Sequence, residues 1–155
     1  MKIRLPFYSL ILALAIAPGV RAQDTKPKAA ADKEETTELG DKMDNVSSAF
    51  KKLRKQVNDA TKNEDSIKQV GIIRENMQAA LKLEPARKAD VPAADQAKFI
   101  ADYQAKMKST LEIVGKLEDA LKAGDNAAAA KIFADLGNAQ KEGHKEFKRP
   151  DKKKT

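Results

Sequence analysis

The sequence contains no cysteine, no tryptophan and a single histidine among its 155 residues. The absence of cysteine excludes a disulfide-stabilised scaffold, an iron–sulfur cluster and a zinc site built from thiolates. A single histidine also excludes metal sites that need several imidazoles. Aromatic residues make up only 5% of the chain, whereas alanine, lysine, aspartate, glutamate and leucine are abundant. This composition is typical of helices and predicts one modest all-α domain.

Residues 1–22 have the pattern of a secretory signal peptide. Lys2 and Arg4 precede an uncharged apolar run, and small residues end the segment at Ala22. The run is shorter than a membrane-spanning helix requires, which favours a cleaved signal peptide. An uncleaved membrane anchor is the alternative. Cleavage removes three basic residues and no acid, so the formal net charge falls from +7 to +4. We expect an exported protein with no membrane attachment after cleavage and no nucleic-acid partner.

Two further segments lack any apolar face. Residues 23–36 are polar, and we expect them to form a disordered leader. Residues 149–155 include Pro150, which stops a helix, and end in a lysine run, so this basic tail is predicted to be solvated. The folded domain is therefore predicted to span residues 37–148.

Four stripes of apolar residues at helical spacing lie between the leader and the tail. The first consists of Leu39, Met43, Val46, Phe50, Leu53 and Val57. The second consists of Ile67, Val70, Ile73, Met77, Ala80 and Leu81. The third consists of Ile100, Tyr103, Met107, Leu111, Val114, Leu117 and Leu121. The fourth consists of Ala129, Ile132, Phe133, Leu136, Gln140, His144 and Phe147.

Turn signals separate these stripes. The first helix is expected to end near Ala60, and Pro85 stops the second helix. Gly124 suits the left-handed position after the third helix, and Asp125 or Asn126 can cap the start of the fourth. Two tight turns and one longer loop join helices of similar length, so sequence neighbours must run antiparallel. The predicted fold is an antiparallel up-down-up-down four-helix bundle.

The bundle topology brings two residues that are distant in sequence to similar levels. The first helix ends where the fourth begins, and Met43 lies about 25 Å from that shared end at the helical rise of 1.5 Å per residue. His144 lies about 28 Å from the same end. Met107 and Met77 fit the level of the histidine less well, at about 6 and 9 Å from it. Met43 and His144 are therefore predicted to lie near one level on adjacent helices.

A methionine and a histidine on facing helices can serve as an axial pair for haem iron. Gly137, Ala139 and Gly143 leave room for a flat group against the fourth helix, although a glycine in a helix costs about 1 kcal/mol. Each feature has a simpler alternative. The methionine can be a core residue, the histidine can complement the end of its helix, and the small residues can mark a close helix–helix contact.

Three stretches of the sequence resemble the cytochrome b562 family of exported four-helix haem proteins. They are the L-x-x-x-M pattern of Leu39–Met43, the run IVGKLEDALKAGDN at 113–126 and the ending GHKEFK at 143–148. By this resemblance, Met43 and His144 match the family's methionine and histidine ligands to the iron. The absence of a C-x-x-C-H motif distinguishes the chain from the related c-type bundles.

The resemblance implies a periplasmic b-type cytochrome with one non-covalent haem. We expect a monomeric one-electron carrier with unidentified redox partner proteins, and no enzymatic activity. The residues expected to surround the haem are Leu39, Val46, Phe50, Met107, Leu111, Leu136, Gln140, Gly143 and Phe147. Lys42, Lys145 and Lys148 lie near the end that carries the ligand pair, where they either pair with haem propionates or are ordinary solvated charges.

The sequence departs from the resembled family at two places. The third helix shows Lys106, Met107 and Thr110 where the family has phenylalanines, and Gln140 stands where the family has an arginine. A haem-free exported binding or chaperone-like protein is therefore the alternative hypothesis, and it differs in predicting no Soret band. A carboxylate metal bundle needs glutamates that face the interior, and none of the four stripes contains one.

Overall fold

The computed structural model describes residues 37–149. The predicted signal peptide, the predicted leader and residues 150–155 of the predicted tail lie outside this part. Four α-helices account for most of it, namely α1 (Glu38–Arg54), α2 (Asn63–Ala80), α3 (Gln96–Lys122) and α4 (Asn126–Phe147). Short 3₁₀ helices occupy the connections at Ala60–Lys62, Ala86–Asp90 and Ala93–Asp95. Within residues 37–149 there is no strand, and no helix is long and apolar enough to cross a membrane.

The helices pack in chain order, with α1 against α2, α2 against α3 and α3 against α4. Two side-chain hydrogen bonds show the antiparallel register of the first pair. Asn45 donates to Asn76 (3.2 Å) and Gln56 donates to Asp65 (2.8 Å), so residue numbers rise along α1 as they fall along α2. The prediction of an all-α four-helix bundle is confirmed. We call the end with the α1–α2 and α3–α4 connections the turn end, and the opposite end the open end.

Local side chains fix where the helices begin. The Thr37 hydroxyl accepts a hydrogen bond from the Gly40 amide (3.1 Å), and the Asp125 carboxylate accepts one from the Ala128 amide (2.9 Å). Each bond satisfies an amide that the first helical turn leaves unpaired. Gly124 has a φ of +73°, the left-handed conformation that glycine adopts without strain. The sequence signals for the α3–α4 turn therefore match the structure.

The first helix is shorter than the sequence indicated, because α1 ends at Arg54 and not near Ala60. Residues 55–58 form turns after the helix. Asp59 then caps the 3₁₀ helix Ala60–Lys62 by accepting hydrogen bonds from the amide (3.0 Å) and hydroxyl (2.6 Å) of Thr61. Val57 is still buried at 3% exposure, although it lies beyond the last turn of α1.

Several core side chains near the turn end are almost completely covered. Leu53, Val70, Leu117 and Leu121 have at most 1% of their surface exposed. Farther from the turn end, the Tyr103 hydroxyl donates to the carbonyl of Ala80 (2.9 Å), and burial raises the pKa of this tyrosine to about 12. The phenol therefore stays neutral and ties α3 to the end of α2.

Two asparagines join the connections at the turn end, and we call them the asparagine clasp. Asn126 donates to the Asn63 side chain (2.7 Å) and to the carbonyl of Val57 (2.9 Å). Asn63 in turn donates to the carbonyl of Leu121 (3.3 Å). The clasp thus links the α1–α2 connection to both helices of the α3–α4 hairpin, and it satisfies carbonyls that helix ends leave unpaired.

Two charged residues differ from the sequence expectation. Glu118 is buried, with 6% of its surface exposed, although none of the apolar stripes contained a glutamate. Arg74 of α2 and Lys122 of α3 hydrogen-bond its carboxylate and lower its pKa, Lys122 most strongly. Arg149 was expected to be a solvated tail residue, yet it pairs with Asp90 at 2.8 Å. Glu118 is paired with a residue of another helix, and Arg149 with a residue of the α2–α3 connection. Helical periodicity does not reveal such partners.

Candidate functional site

The first and last helices come close at fewer positions than any of the pairs adjacent in sequence. We call the line along which they face each other the α1–α4 seam. Phe50 of α1 and Phe133 of α4 close the middle of the seam, with stacked rings whose centroids lie 4.4 Å apart. A Cβ atom added to Gly137 would lie 3.6 Å from the Phe50 ring, an ordinary van der Waals contact, so this glycine packs directly beside the aromatic pair.

The aromatic pair also fixes the register of the two helices. Counting seven residues from Phe50 toward the open end reaches Met43, and the same count from Phe133 reaches Gln140. His144 lies one helical turn beyond Gln140, about 6 Å farther toward the open end. The structure therefore places Met43 and His144 on facing helices and within about one turn of the same level.

The side chains around this level are apolar but incompletely covered. Met43 is half-buried and packs against the core, and the same holds for Leu39, Leu111 and Phe147. Gln140 and Gly143 are also half-buried, whereas Val46, Phe50, Met107 and Leu136 are buried. Within residues 37–149, no α4 residue after Leu136 is fully buried. The open half of the seam therefore has several partly exposed apolar side chains.

The α2–α3 connection holds the last turn of α4, which carries His144. The Arg87 guanidinium donates to the carbonyls of Lys145 (2.7 Å) and Glu146 (2.8 Å). These are carbonyls that the end of a helix leaves without partners. Phe147 packs edge-on against Phe99, with ring centroids 5.3 Å apart. The backbone at His144 is therefore held from two sides, although its side chain is exposed.

His144 has a lowered pKa, because the surrounding protein partly desolvates the charged imidazolium and Lys148 adds a like charge nearby. Both effects favour the neutral imidazole. Neutral imidazole is the form that binds a metal ion through a ring nitrogen. Of the remaining methionines, Met77 and Met107 lie in the core with 5% and 8% exposure. Met43 is the methionine that combines partial exposure with a place on the seam.

The described residues offer no competing metal centre. No group of three or more histidine, aspartate or glutamate side chains in residues 37–149 could hold a metal ion. Lys106 is half-buried and forms an ion pair with Glu142, which links α3 to α4 beside the histidine. Of the lysines predicted near the open end, Lys145 is exposed and Lys42 is half-buried.

Sequence reasoning missed two residues that support the site. Phe99 was not placed in the third stripe, which began at Ile100 instead. Phe99 lies four residues before Tyr103, and this spacing could have placed both on one face of the helix. Both rings pack against Phe147. Arg87 lies in the α2–α3 connection, and no local pattern indicated that it reaches α4. Its contact with the helix carbonyls depends only on how the α2–α3 connection packs against α4 in the folded protein.

Comparison with known families agrees with this architecture. The family model described as Cytochrome b562 matches residues 38–148, which span all four helices. Neither the curated proteins nor the solved structures gave a match to this chain. The family match implies a haem cofactor and the role of an electron carrier. Because the match covers most of the sequence and coincides with the bundle, the chain belongs to the cytochrome b562 family.

Proposed function

We propose that this protein is an exported one-electron carrier that holds one non-covalent haem b between Met43 and His144. The observation that carries the proposal is that these two residues lie on the two helices of the α1–α4 seam, at similar levels and among partly exposed apolar side chains. A thioether and a neutral imidazole on facing helices form an axial ligand pair for haem iron.

The residues of the seam fit a flat apolar group. Leu39, Leu111 and Phe147 present partly exposed apolar surface at this level, and Val46, Phe50, Met107 and Leu136 form the buried boundary behind them. A Cβ atom at Gly143 would meet no atom within 4 Å, so the backbone of α4 is open beside the histidine. Burial of this apolar surface under a macrocycle is favourable at about 25 cal/mol per Å².

The ligand pair also determines the kind of chemistry. Bound haem supplies reversible one-electron exchange at its iron, and a methionine ligand raises the reduction potential. Met43 and His144 would occupy both axial positions, which leaves none for oxygen or a substrate. This arrangement supports a carrier and not an enzyme. The chain has no cysteine, so haem attachment through thioether bonds is excluded.

The support for export of the protein comes from its sequence. The pattern of residues 1–22 supports export, and for a bacterial member of this family export means the periplasm. N-terminal sequencing of the protein purified from the periplasmic fraction tests this part. A mature chain that begins at Gln23 is the expected result, and an intact N-terminus in the membrane fraction would instead show an anchor.

Optical spectra of haem-loaded variants test the ligand assignment. We expect the parent protein to show a sharp Soret band and narrow α and β bands after reduction, as six-coordinate low-spin haem does. Met43→Leu keeps the volume but removes the sulfur, and His144→Ala removes the imidazole, so each should lose the low-spin spectrum. Met77→Leu is the matched control, because Met77 is buried on α2 away from the seam.

The outcomes separate the two function hypotheses. Low-spin spectra retained in both the Met43 and the His144 variants would overturn the ligand pair. A parent protein that shows no Soret band after titration with haem would overturn haem binding, and the haem-free binding protein would then be the better hypothesis. Extraction of the haem by acid acetone would establish that its attachment is non-covalent.

A further inference from the structure

Two arginines attach the end of α4 to the α2–α3 connection, and they reach across in opposite directions. Arg87 of the connection donates to the carbonyls of Lys145 (2.7 Å) and Glu146 (2.8 Å). Arg149, just after α4, binds both carboxylate oxygens of Asp90, at 2.8 and 3.0 Å. We call Arg87, Asp90 and Arg149 the arginine latch. The latch holds the end of α4 on either side of its last helical residue.

The α2–α3 connection has contacts of its own that make it a firm base for the latch. Pro85 is buried, and Ala86–Asp90 forms a 3₁₀ helix. The first residue of this 3₁₀ helix accepts a further hydrogen bond from Arg149 through its carbonyl (3.0 Å). Gln96, at the start of α3, donates to the carbonyl of Val91 (3.1 Å). A shift of the end of α4 would therefore have to break bonds to an ordered segment.

The side of α4 that faces α1 has no comparable attachment. Within residues 37–149, no hydrogen bond or ion pair joins α1 to α4. The stacked rings of Phe50 and Phe133 lie about 16 Å along α4 from His144. An ion pair between Lys106 and Glu142 ties α4 to α3 instead. The position of His144 relative to α1 is therefore set by the contacts of α4 with α3 and with the connection.

Resting on the proposed function, we propose that the arginine latch positions His144 as an iron ligand. The latch acts through the backbone of the last turn of α4, so its members are positioning residues and not ligands. Carbonyls at the end of a helix have no intrahelical partner, and without Arg87 this turn frays more readily. Groups that orient a metal ligand change metal affinity by about 10–100-fold when they are removed. The α2–α3 connection thereby aligns His144 with Met43 across the seam.

Titration of latch variants with haem tests this role. Arg87→Gln removes the guanidinium from the two helix carbonyls, and Asp90→Asn removes the charge that Arg149 binds. We expect the double variant to bind haem about tenfold more weakly than the parent and to show a larger high-spin fraction. Lys88→Gln is the matched control, because Lys88 lies in the same connection and pairs with Glu84 (2.7 Å) instead of α4. Its haem affinity should equal that of the parent.

Two ligand variants show whether the latch acts through the histidine. In the Met43→Leu protein the imidazole remains, so adding the double latch variant should again lower haem affinity by about tenfold. In the His144→Ala protein there is no imidazole to position, so adding the double latch variant should leave haem affinity unchanged. A latch that only supported the fold would weaken haem binding equally in both proteins.

A conservative variant and a stability measurement complete the test. Arg87→Lys keeps the positive charge but replaces the planar guanidinium by an ammonium, so its haem affinity should lie between those of the parent and Arg87→Gln. The latch hydrogen bonds are exposed, so the haem-free variants should unfold at the same urea concentration as the parent. A loss of haem affinity without a loss of stability distinguishes positioning of a ligand from support of the fold.

The contrary results separate this inference from the proposed function. Unchanged haem affinity in the double latch variant would overturn the positioning role, while the proposed function stands. Equal losses in the Met43→Leu and His144→Ala proteins, or an equal loss in Lys88→Gln, would likewise overturn it. A parent without low-spin haem would overturn the proposed function and this inference together.

Discussion

The two halves of the bundle differ in how completely their side chains are covered. Toward the turn end, Leu53, Leu117 and Leu121 are almost completely buried, and the asparagine clasp joins the connections. Toward the open end, Met43 and Phe147 are half-buried and α4 has no fully buried residue beyond Leu136 within the described chain. The α1–α4 seam is therefore less completely covered toward the open end, whereas α2 and α3 keep buried residues such as Ala80 and Tyr103 there.

Several polar contacts differ between the two ends in the same way, although the buried hydrogen bond from Tyr103 to the Ala80 carbonyl lies toward the open end. The clasp at the turn end is part-buried, where a lost hydrogen bond leaves its partner without water. The Arg87 and Arg149 contacts at the open end are exposed, so water can replace them. We therefore expect the turn half to set the stability of the haem-free protein, and the open half to set its affinity for the cofactor.

The largest effect is expected from truncating a buried leucine in the turn half. Leu117→Ala should lower the free energy of unfolding of the haem-free protein by about 2–5 kcal/mol, because it leaves a cavity in the core. Leu39→Ala in the open half is the matched control and should cost less than about 1 kcal/mol, since Leu39 is already partly solvated. Urea unfolding measures both, and equal losses would remove the distinction between the halves.

A smaller effect is expected from breaking the asparagine clasp. Asn126→Ala should cost about 1–3 kcal/mol, because it leaves the carbonyl of Val57 and the side chain of Asn63 without this partner. Asn138→Ala on the same helix is the control, and no loss is expected because Asn138 is exposed. Thermal unfolding of the haem-free variants measures the difference. A clasp variant as stable as the control would show that water replaces the clasp freely.

The smallest effect concerns pH. Lys122 and Arg74 hold the pKa of Glu118 below its usual value of 4.5, so the carboxylate is charged in the folded protein at pH values where it protonates in the unfolded chain. Its stabilisation is present above pH 4.5 and is lost as the pH falls through the lowered pKa. Glu118→Gln should cost about 1 kcal/mol at pH 7 and flatten the acid side of the stability profile.

Glu112→Gln provides the control for this measurement, because Glu112 is exposed on the same helix. Stability is followed by urea unfolding between pH 3 and pH 7. If the Glu118 and Glu112 variants kept the same pH profile as the parent, the buried carboxylate would have no part in acid unfolding.

Much of the fold could be predicted because helical spacing reports burial directly. The four stripes locate all four helices, and the Gly124–Asp125 turn could be assigned from the conformation of glycine and the capping ability of aspartate. The levels of Met43 and His144 follow from the helical rise once the topology is fixed. These features depend on residues close together in the chain, or on the geometry of a regular helix.

The remaining features depend on contacts that the spacing does not encode. The burial of Glu118 requires Arg74 from another helix, and the support of the last turn of α4 requires Arg87 from a connection. The apolar spacing continues to the buried Val57 and so does not show that α1 ends at Arg54. The groove between Phe50 and Arg54 of α1 and Phe133 and Lys141 of α4 forms only when these two helices lie side by side. Such features can be identified only from the positions of both partners in the folded protein.

The sparse α1–α4 seam also has a consequence for how fast the chain folds. Most helix–helix contacts join elements that follow one another in the sequence, whereas the seam joins the two ends of the domain. Contacts between sequence neighbours require only short loops to close, and proteins dominated by them fold in microseconds to milliseconds. The seam needs a long chain closure and brings the two helices close at few positions. We expect the bundle to form rapidly without its cofactor, so that haem binding is not required to begin folding.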